Sequence, residues 1–152
     1  MAAFMGLVAL TGMGMAEVVI NEIELDAPDM VAQWVELYNS GDDNVSIGGW
    51  TITMIDGAWK GPMIIAEGTV IPAKGFYVSE GQLSWEEHKN ATVTLINEAG
   101  LEVDQTPLLG DEGDDNFTNA RVLDGQDTNT TGDWSYTFGS KGQSNNRMMV
   151  KA

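Results

Sequence analysis

The segment at residues 33–39, QWVELYN, constrains the fold more than any other part of the chain. Its side chains alternate, so Trp34 and Glu36 share one face while Val35 and Leu37 share the other. A period of two with aromatic and β-branched residues predicts a β-strand. The Ser-Gly-Asp-Asp-Asn run that follows is typical of a turn. Since an unpaired buried carboxylate is costly, we expect Glu36 to stay at the water boundary or to find hydrogen-bond donors.

Similar short segments recur along the chain about every 8 to 14 residues, separated by Gly, Pro, Asn or Asp, which indicates an all-β sandwich or barrel. Asp56-Gly57 is typical of a hairpin turn. Alternate strand positions should be buried between two antiparallel sheets. The residues expected there are Val35, Leu37, Trp50, Ile52, Val93 and Leu95.

Three segments depart from the simple strand pattern. Residues 82–89 have a local helical character, because Ser84 can cap and two glutamates follow in the first turn. Residues 109–129 have few apolar side chains and many turn formers, so we predict a long loop. Residues 134–138, WSYTF, predict a returning strand with one aromatic face.

The length and charge of the chain limit its possible classes. At 152 residues, one domain with an adequate core is expected, and the absence of cysteine excludes disulfides and thiolate metal sites. The net charge of −16 argues against nucleic acid as a partner, because phosphate binding depends on Lys and Arg. Cations, cationic proteins or neutral glycans fit better, although a strongly acidic surface also simply keeps a protein soluble.

The first 16 residues, MAAFMGLVALTGMGMA, carry no charge. The apolar run at residues 4–10 and the small-x-small pattern Gly14-Met15-Ala16 resemble a secretory signal cleaved after Ala16. The usual positive residues at the start are missing, so a buried N-terminal helix is the alternative. The run is too short to span a membrane, which takes about 20 apolar residues. We therefore expect a secreted or cell-surface protein with a signal segment at 1–16, a folded domain at 17–146 and a short tail at 147–152.

Several motifs in order resemble the lamin tail domain family, in particular its secreted prokaryotic members. The motifs are Ile20-Asn21-Glu22-Ile23, residues 34–39, Gly49-Trp50, residues 71–77, residues 93–97 with Gly100, Val103-Asp104, residues 121–127 and Asp133-Trp134. The resemblance implies an immunoglobulin-like antiparallel β-sandwich that binds or scaffolds proteins or glycans at the cell surface, without catalytic residues. No sustained heptads are present, so the rod and nuclear location of lamins do not carry over.

Four Asn-x-Ser/Thr tripeptides stand at predicted turns or loops, where a glycosylation acceptor must lie. Their acceptor residues are Asn44, Asn90, Asn116 and Asn129. Together with the signal-like start they favour export into a glycosylating cell, although each tripeptide alone is common by chance.

The acidic segment near the C-terminus offers oxygen ligands of the kind that calcium prefers. The candidate ligands are Asp111, Asp114, Asp115, Asp124 and Asp127. The spacing matches no EF-hand, and the alternative is a solvated acidic loop. Calcium is therefore a possible cofactor, and calcium-dependent glycan binding is one alternative function.

Trp59 and Trp85 fall in segments that look like loops, where an aromatic ring can stack on a sugar or a partner, or anchor the loop itself. His88 is the only histidine, and no nucleophile-elbow or phosphate-loop motif is present. We therefore expect a protein that is not an enzyme. The competing hypothesis is a small secreted hydrolase with a pair of carboxylates, which would require a cleft with two close acids.

Overall fold

A computed structural model describes residues 17–28, 31–81 and 89–146. The described residues form twelve β-strands and one short 3-10 turn, Thr131–Asp133. The strands are β1 (Val18–Glu24), β2 (Trp34–Asn39), β3 (Val45–Ser46), β4 (Thr51–Asp56), β5 (Trp59–Ile64), β6 (Val70–Ile71), β7 (Phe76–Glu80), β8 (Asn90–Ile96), β9 (Glu102–Gln105), β10 (Leu109–Gly110), β11 (Phe117–Arg121) and β12 (Trp134–Phe138).

Two antiparallel sheets make up the domain. One has the strand order β12-β11-β1-β2-β7, and the other has the order β10-β8-β4-β5, with β9 also paired to β8. The strands β3 and β6 form a separate two-stranded pair. The fold is thus all-β and immunoglobulin-like, as expected from the sequence.

The core lies between the two large sheets, where alternate strand residues meet. Val35 and Leu37 from β2 and Ile52 from β4 are fully buried, as are Val93 and Leu95 from β8. These five predictions are confirmed. The sixth residue, Trp50, is only partly buried and packs against the core from a position just before β4. Its backbone N–H donates to Ile47 O within a tight turn, which explains why it does not take a strand position.

The turn predicted at Asp56-Gly57 joins β4 and β5, because Asp56 pairs directly with Trp59. Gly57 takes φ = 56°, a left-handed conformation that Gly adopts without steric cost. The structure corrects the assignment of Trp59 to a loop: it begins β5. The short hairpin turn brings it into register with β4 earlier than the sequence suggested.

The prediction of one long loop at residues 109–129 was wrong. The segment contains β10 and the five-residue strand β11, which lies between β1 and β12 within the sheet. Its sequence, FTNAR, looks polar, yet residues 118–121 are all buried. Hydrogen bonds satisfy their polar groups. The Thr118 hydroxyl donates to Glu22 Oε1, and the Asn119 side-chain amide donates to Gly110 O. Strand β12 is confirmed, whereas the predicted helical segment at 82–89 lies almost wholly outside the described residues.

Candidate functional site

Two buried glutamates hold the C-terminal segment against the sheet. Glu22 of β1 accepts hydrogen bonds from Thr118 Oγ1 at 2.6 Å and from both N and Oγ of Ser140 at 2.7 Å. Glu36 of β2 accepts from Asn21 Nδ2 at 3.0 Å and from Gly142 N at 2.7 Å. Glu36 therefore found donors rather than water, which was one of the two outcomes expected.

Burial raises the pKa of Glu36 to about 7, although its hydrogen bonds from Asn21 and Gly142 oppose the shift. These contacts join two strands to the chain's last described residues. The carboxylates of Glu22 and Glu36 thus have a structural role, since they hold the C-terminal segment against β1 and β2.

Arg121 at the end of β11 is the largest fully buried side chain. Its Nη2 lies 3.0 Å from Asp104 Oδ2, and its Nη1 lies 3.3 Å from Asp127 Oδ1 and 3.8 Å from Asp133 Oδ2. Its guanidinium carbon lies 4.8 Å from the centre of the Trp134 ring. Such a planar cation matches several carboxylates and an aromatic face at once.

The same side chain also ties loops to strands. Arg121 Nε donates to Ile20 O, and Nη1 donates to Gln126 O, each at 2.6 Å. Burial raises the pKa of Asp104 even though Arg121 opposes the shift. For Asp133 burial also acts upward, but hydrogen bonds from Thr128 and Thr130 outweigh it and lower the pKa.

A cleft with a volume of about 490 Å³ lies beside this network. It is lined by Glu102, Asp104 and Asp127, among others. A hydrolase would use two such acids, but Asp104 and Asp127 both contact the Arg121 guanidinium. Two of the acids in the cleft, Asp104 and Asp127, are therefore arranged as structural ion-pair partners of Arg121.

A second acidic cluster surrounds Asp111, which is 1 % exposed. Tyr136 Oη donates to Asp111 Oδ1 at 2.7 Å, whereas Asp111 Oδ2 is buried without a hydrogen-bond donor among the described residues. The carboxyl of Glu24 lies within hydrogen-bonding reach of Asp111. Burial, followed by the charge of Asp111, raises the pKa of Glu24 to about 8. The same two causes raise the pKa of Asp26.

An aromatic strip, defined as Phe117, Tyr136 and Phe138, lies on the β11–β12 hairpin. The ring of Phe117 lies 5.6 Å from that of Tyr136 and 6.0 Å from that of Phe138. The three residues are 41 %, 46 % and 60 % exposed, respectively. Exposed apolar groups that adjoin one another on a surface mark interaction sites more often than scattered ones do.

The candidate calcium ligands are distributed over separate places. Asp111 is buried beside Tyr136, while Asp114 and Asp115 are exposed on the following loop. Asp124 accepts from Asn21, Asn145 and Ser144, and Asp127 contacts Arg121. In the part of the chain that the structure describes, no group of three or more His, Cys, Asp or Glu residues is placed to hold a metal ion. Calcium binding stays a prediction.

The four acceptor asparagines are all exposed. Asn44, Asn116 and Asn129 lie in loops, as expected, but Asn90 is the first residue of β8 rather than a loop residue. Asn44 Oδ1 accepts from Ala73 N at 3.2 Å. Exposure makes each of them reachable, and their modification stays a prediction.

Of the two tryptophans considered for stacking on a ligand, Trp59 packs partly buried against the core. Its position favours the anchoring role over a ligand contact. Trp85 and the single histidine, His88, lie outside the described residues.

Sequence reasoning missed two features of the site. The aromatic face of β12 was expected, but its extension by Phe117 was not, because the segment before it was read as a loop. Arg121 was also not singled out as a buried centre. The available signal was that it is the only Lys or Arg between Asp111 and Asp133.

The two antiparallel sheets, their shared core and the non-local β1–β11 pairing define the protein as an immunoglobulin-like domain. The family model described as Lamin Tail Domain matches residues 13–108, well over half of the chain. The protein belongs to the lamin tail domain family, an immunoglobulin-like interaction-domain family that is generally non-catalytic. No curated protein matches the chain.

The family match ends before β10, yet β11 pairs with β1 and β12 pairs with β11. Strands β11 and β12 thus complete the sheet of β1, whereas β10 pairs with β8 in the other sheet. Among the residues with described structure, no helix has both the length and the apolar character needed to cross a membrane.

Proposed function

We propose that this chain is an exported, non-enzymatic binding domain of the lamin tail type that acts in adhesion or scaffolding at the cell surface. The observation that carries the proposal is the aromatic strip, because adjoining exposed apolar side chains on a sheet are suited to contact a partner. The family's character as an interaction domain supports the same function.

Export is supported by the sequence rather than by the fold. The uncharged start with its small-x-small site is typical of a secretory signal. The four Asn-x-Ser/Thr acceptors are exposed, which is a requirement for their use as glycosylation sites. A sandwich stabilised by packing and buried ion pairs, without cysteine, can persist in an oxidising or a reducing compartment.

A binding role fits the acids better than a hydrolytic one. In the cleft beside this network Asp104 and Asp127 both contact the Arg121 guanidinium, so both carboxylates already have a structural ion-pair partner. The aromatic strip, in contrast, is exposed to solvent at all three of its rings. Geometry thus favours recognition over catalysis.

The experiment combines location and adhesion. Mass spectrometry of the native protein should find Glu17 at the N-terminus, and protease treatment of intact cells should degrade the protein. Beads coated with the purified full chain should adhere to the surface of the same cells, whereas beads coated with heat-denatured chain should not. An intact Met1 species confined to the cytoplasm, together with beads that do not adhere, would refute the proposal.

A further inference from the structure

Strand β12 forms one end of its five-stranded sheet. Within the described ranges, only β11 pairs with it. Edge strands are usually protected by proline, by charged side chains or by a bulge. The edge strand β5 of the other sheet carries Pro62 and Lys60. In contrast, β12 reads WSYTF and has neither a charge nor a proline.

The backbone groups on the free side of β12 can be assigned from its pairing. Gly139 N donates to Asn116 O, and Val122 N donates to Asp133 O, so these residues bond across the hairpin. Along an antiparallel strand such bonding alternates from one residue to the next. The N–H and C=O groups of Tyr136 and Phe138 therefore point away from β11, toward the free edge.

The side chains of the strip continue the inner face of the sheet. Residue pairing places Phe117, Arg121, Tyr136 and Phe138 on one face of the hairpin, and Arg121 on that face contacts Asp104 of the opposite sheet. On this face Arg121 is fully buried, whereas Phe117 and Phe138 are exposed. Among the described residues, the strip is thus the exposed part of this face, beside the edge strand β12.

The surroundings of the strip are acidic. Residues 111–116, DEGDDN, contain four acids and no base, and they lead directly into Phe117. Asp115 Oδ1 accepts from Phe117 N at 2.7 Å, and Asp111 binds the Tyr136 hydroxyl, so the loop is held beside the rings. A second copy of a chain with a net charge of −16 would be repelled here, whereas a cationic segment would be attracted.

We propose that the free edge of β12 binds an extended basic segment of a partner protein as an added antiparallel strand. Apolar side chains at alternate positions of that segment pack on the aromatic strip, and its Lys or Arg residues face the acidic loop at 111–116. This mode of recognition uses main-chain hydrogen bonds for affinity and alternate side chains for specificity. The inference rests on the proposed binding function and names its surface and its partner class.

The test uses the purified full chain and a fluorescent synthetic peptide of alternating lysine and valine, about seven residues long to exceed a typical strand of about five. Fluorescence anisotropy should show saturable binding that weakens as salt is raised, since the charges lie at the surface. The same peptide with N-methyl groups at alternate residues keeps its charge but loses the backbone N–H donors along one edge. It should not bind. A peptide of alternating glutamate and valine should not bind either.

Variants locate the site. Phe138→Ser should raise the peptide Kd about tenfold, as expected for an aromatic contact at the centre of an interface. The matched control is Ile64→Ser, which removes a 73 % exposed apolar side chain from the edge strand of the other sheet. The double variant Glu112→Gln/Asp114→Asn should raise the peptide Kd and reduce the dependence of that Kd on salt. The control Glu98→Gln/Glu102→Gln makes the same charge change elsewhere on the surface and should do neither. Unfolding curves identify any variant that fails to fold.

The outcomes separate this inference from the proposed function. Equal binding of the N-methylated and unmodified peptides, or equal effects of Phe138→Ser and Ile64→Ser, would overturn the inference. A dimer in sedimentation that Phe138→Ser dissociates would overturn it in favour of a second copy as occupant. If beads carrying Phe138→Ser adhere to cells as well as wild type, the β12 surface is wrong while the adhesive function stands.

Discussion

Glu22 and Ser140 lie 118 residues apart in the sequence and are joined by two hydrogen bonds of 2.7 Å each, one from the backbone N–H and one from the hydroxyl of Ser140. Both residues are buried. A carboxylate that accepts from a backbone amide and a hydroxyl forms charge-assisted bonds, which are about twice as strong as neutral ones. Strand β1 thus holds in place the segment that follows β12.

Removal of the Ser140 hydroxyl should therefore loosen that segment. Ser140→Ala keeps the backbone bond but loses the bond to Glu22 Oε2, so we expect a loss of about 1.5 to 3 kcal/mol in the free energy of unfolding. Hydrogen exchange of the amides at 139–142 should accelerate. The control is Ser135→Ala, an exposed serine of β12, which should change stability by less than about 0.5 kcal/mol. Equal stability of the two variants would contradict the structural role of Ser140.

Replacement of Arg121 tests the buried ion-pair network. Arg121→Met leaves Asp104 buried without its cation, and the expected cost is about 3 to 5 kcal/mol in urea unfolding. The double variant Arg121→Met/Asp104→Asn should recover part of this loss, because no uncompensated charge remains. Lys74→Met removes an ion pair with Asp42 that is exposed on both sides, and should cost at most about 1 kcal/mol. A small effect of Arg121→Met would show that the network is dispensable.

The raised pKa values of two buried glutamates predict a fall in stability as pH rises. In the folded protein the pKa values are about 8 for Glu24 and about 7 for Glu36, against an ordinary value of 4.5. Between these limits the folded state binds more protons than the unfolded state, so the free energy of unfolding decreases with pH. The contribution of these two carboxyls to the free energy of unfolding is complete below about pH 4.5. It is lost as pH passes through 7 and 8. Urea midpoints measured across this range check the sign.

Glu24→Gln separates the two groups. The amide is neutral at every pH and can donate to Asp111 Oδ2, which has no donor among the described residues. The variant should be more stable than wild type at about pH 8 and should show a shallower pH dependence. The exposed substitution Glu67→Gln is the matched control. A steeper slope for Glu24→Gln would mean that the pKa of Glu24 is not raised in the folded protein.

Gly125 combines a left-handed backbone with a close neighbour. Its φ is +73°, and a Cβ there would lie 2.9 Å from two carbons of the Tyr38 ring. Gly100 has a similar φ of +78° but open space around it. Gly100→Ala should therefore cost about 1 to 2 kcal/mol from the backbone alone, and Gly125→Ala should cost more. Thermal unfolding of the pair measures the contact with Tyr38 by difference.

The sequence predicted the parts of the fold in which periodicity and burial agree. In β4 the buried residues are apolar and alternate, and β2 and β8 carry apolar core residues at alternate positions, so both the strand and its inner face could be read directly. Strand β11 could not be read this way, because its buried residues include Thr118, Asn119 and Arg121. Their burial depends on partners distant in sequence, such as Glu22 and Asp104, which no local pattern reveals.

The candidate site shows the same division. The aromatic face of β12 was visible in WSYTF, but its free edge follows from the strand order. The acids of residues 111–127 looked alike in sequence. The fold gives them different partners, such as Tyr136 for Asp111 and Arg121 for Asp127. The sequence therefore predicted more candidate calcium ligands in one place than the fold brings together.

The position of β11 beside β1 also sets an order of events during synthesis. Arg121 bonds to Ile20 across 101 residues of chain, so β1 cannot pair with β11 until that stretch of chain has been synthesised. Topologies dominated by such distant pairings fold slowly, because loop closure precedes the contacts that reward it. At a synthesis rate of about 5 to 20 residues per second, β1 remains without this neighbour for several seconds in every molecule made. During that interval the backbone edge of β1 that pairs with β11 in the folded domain has no strand beside it.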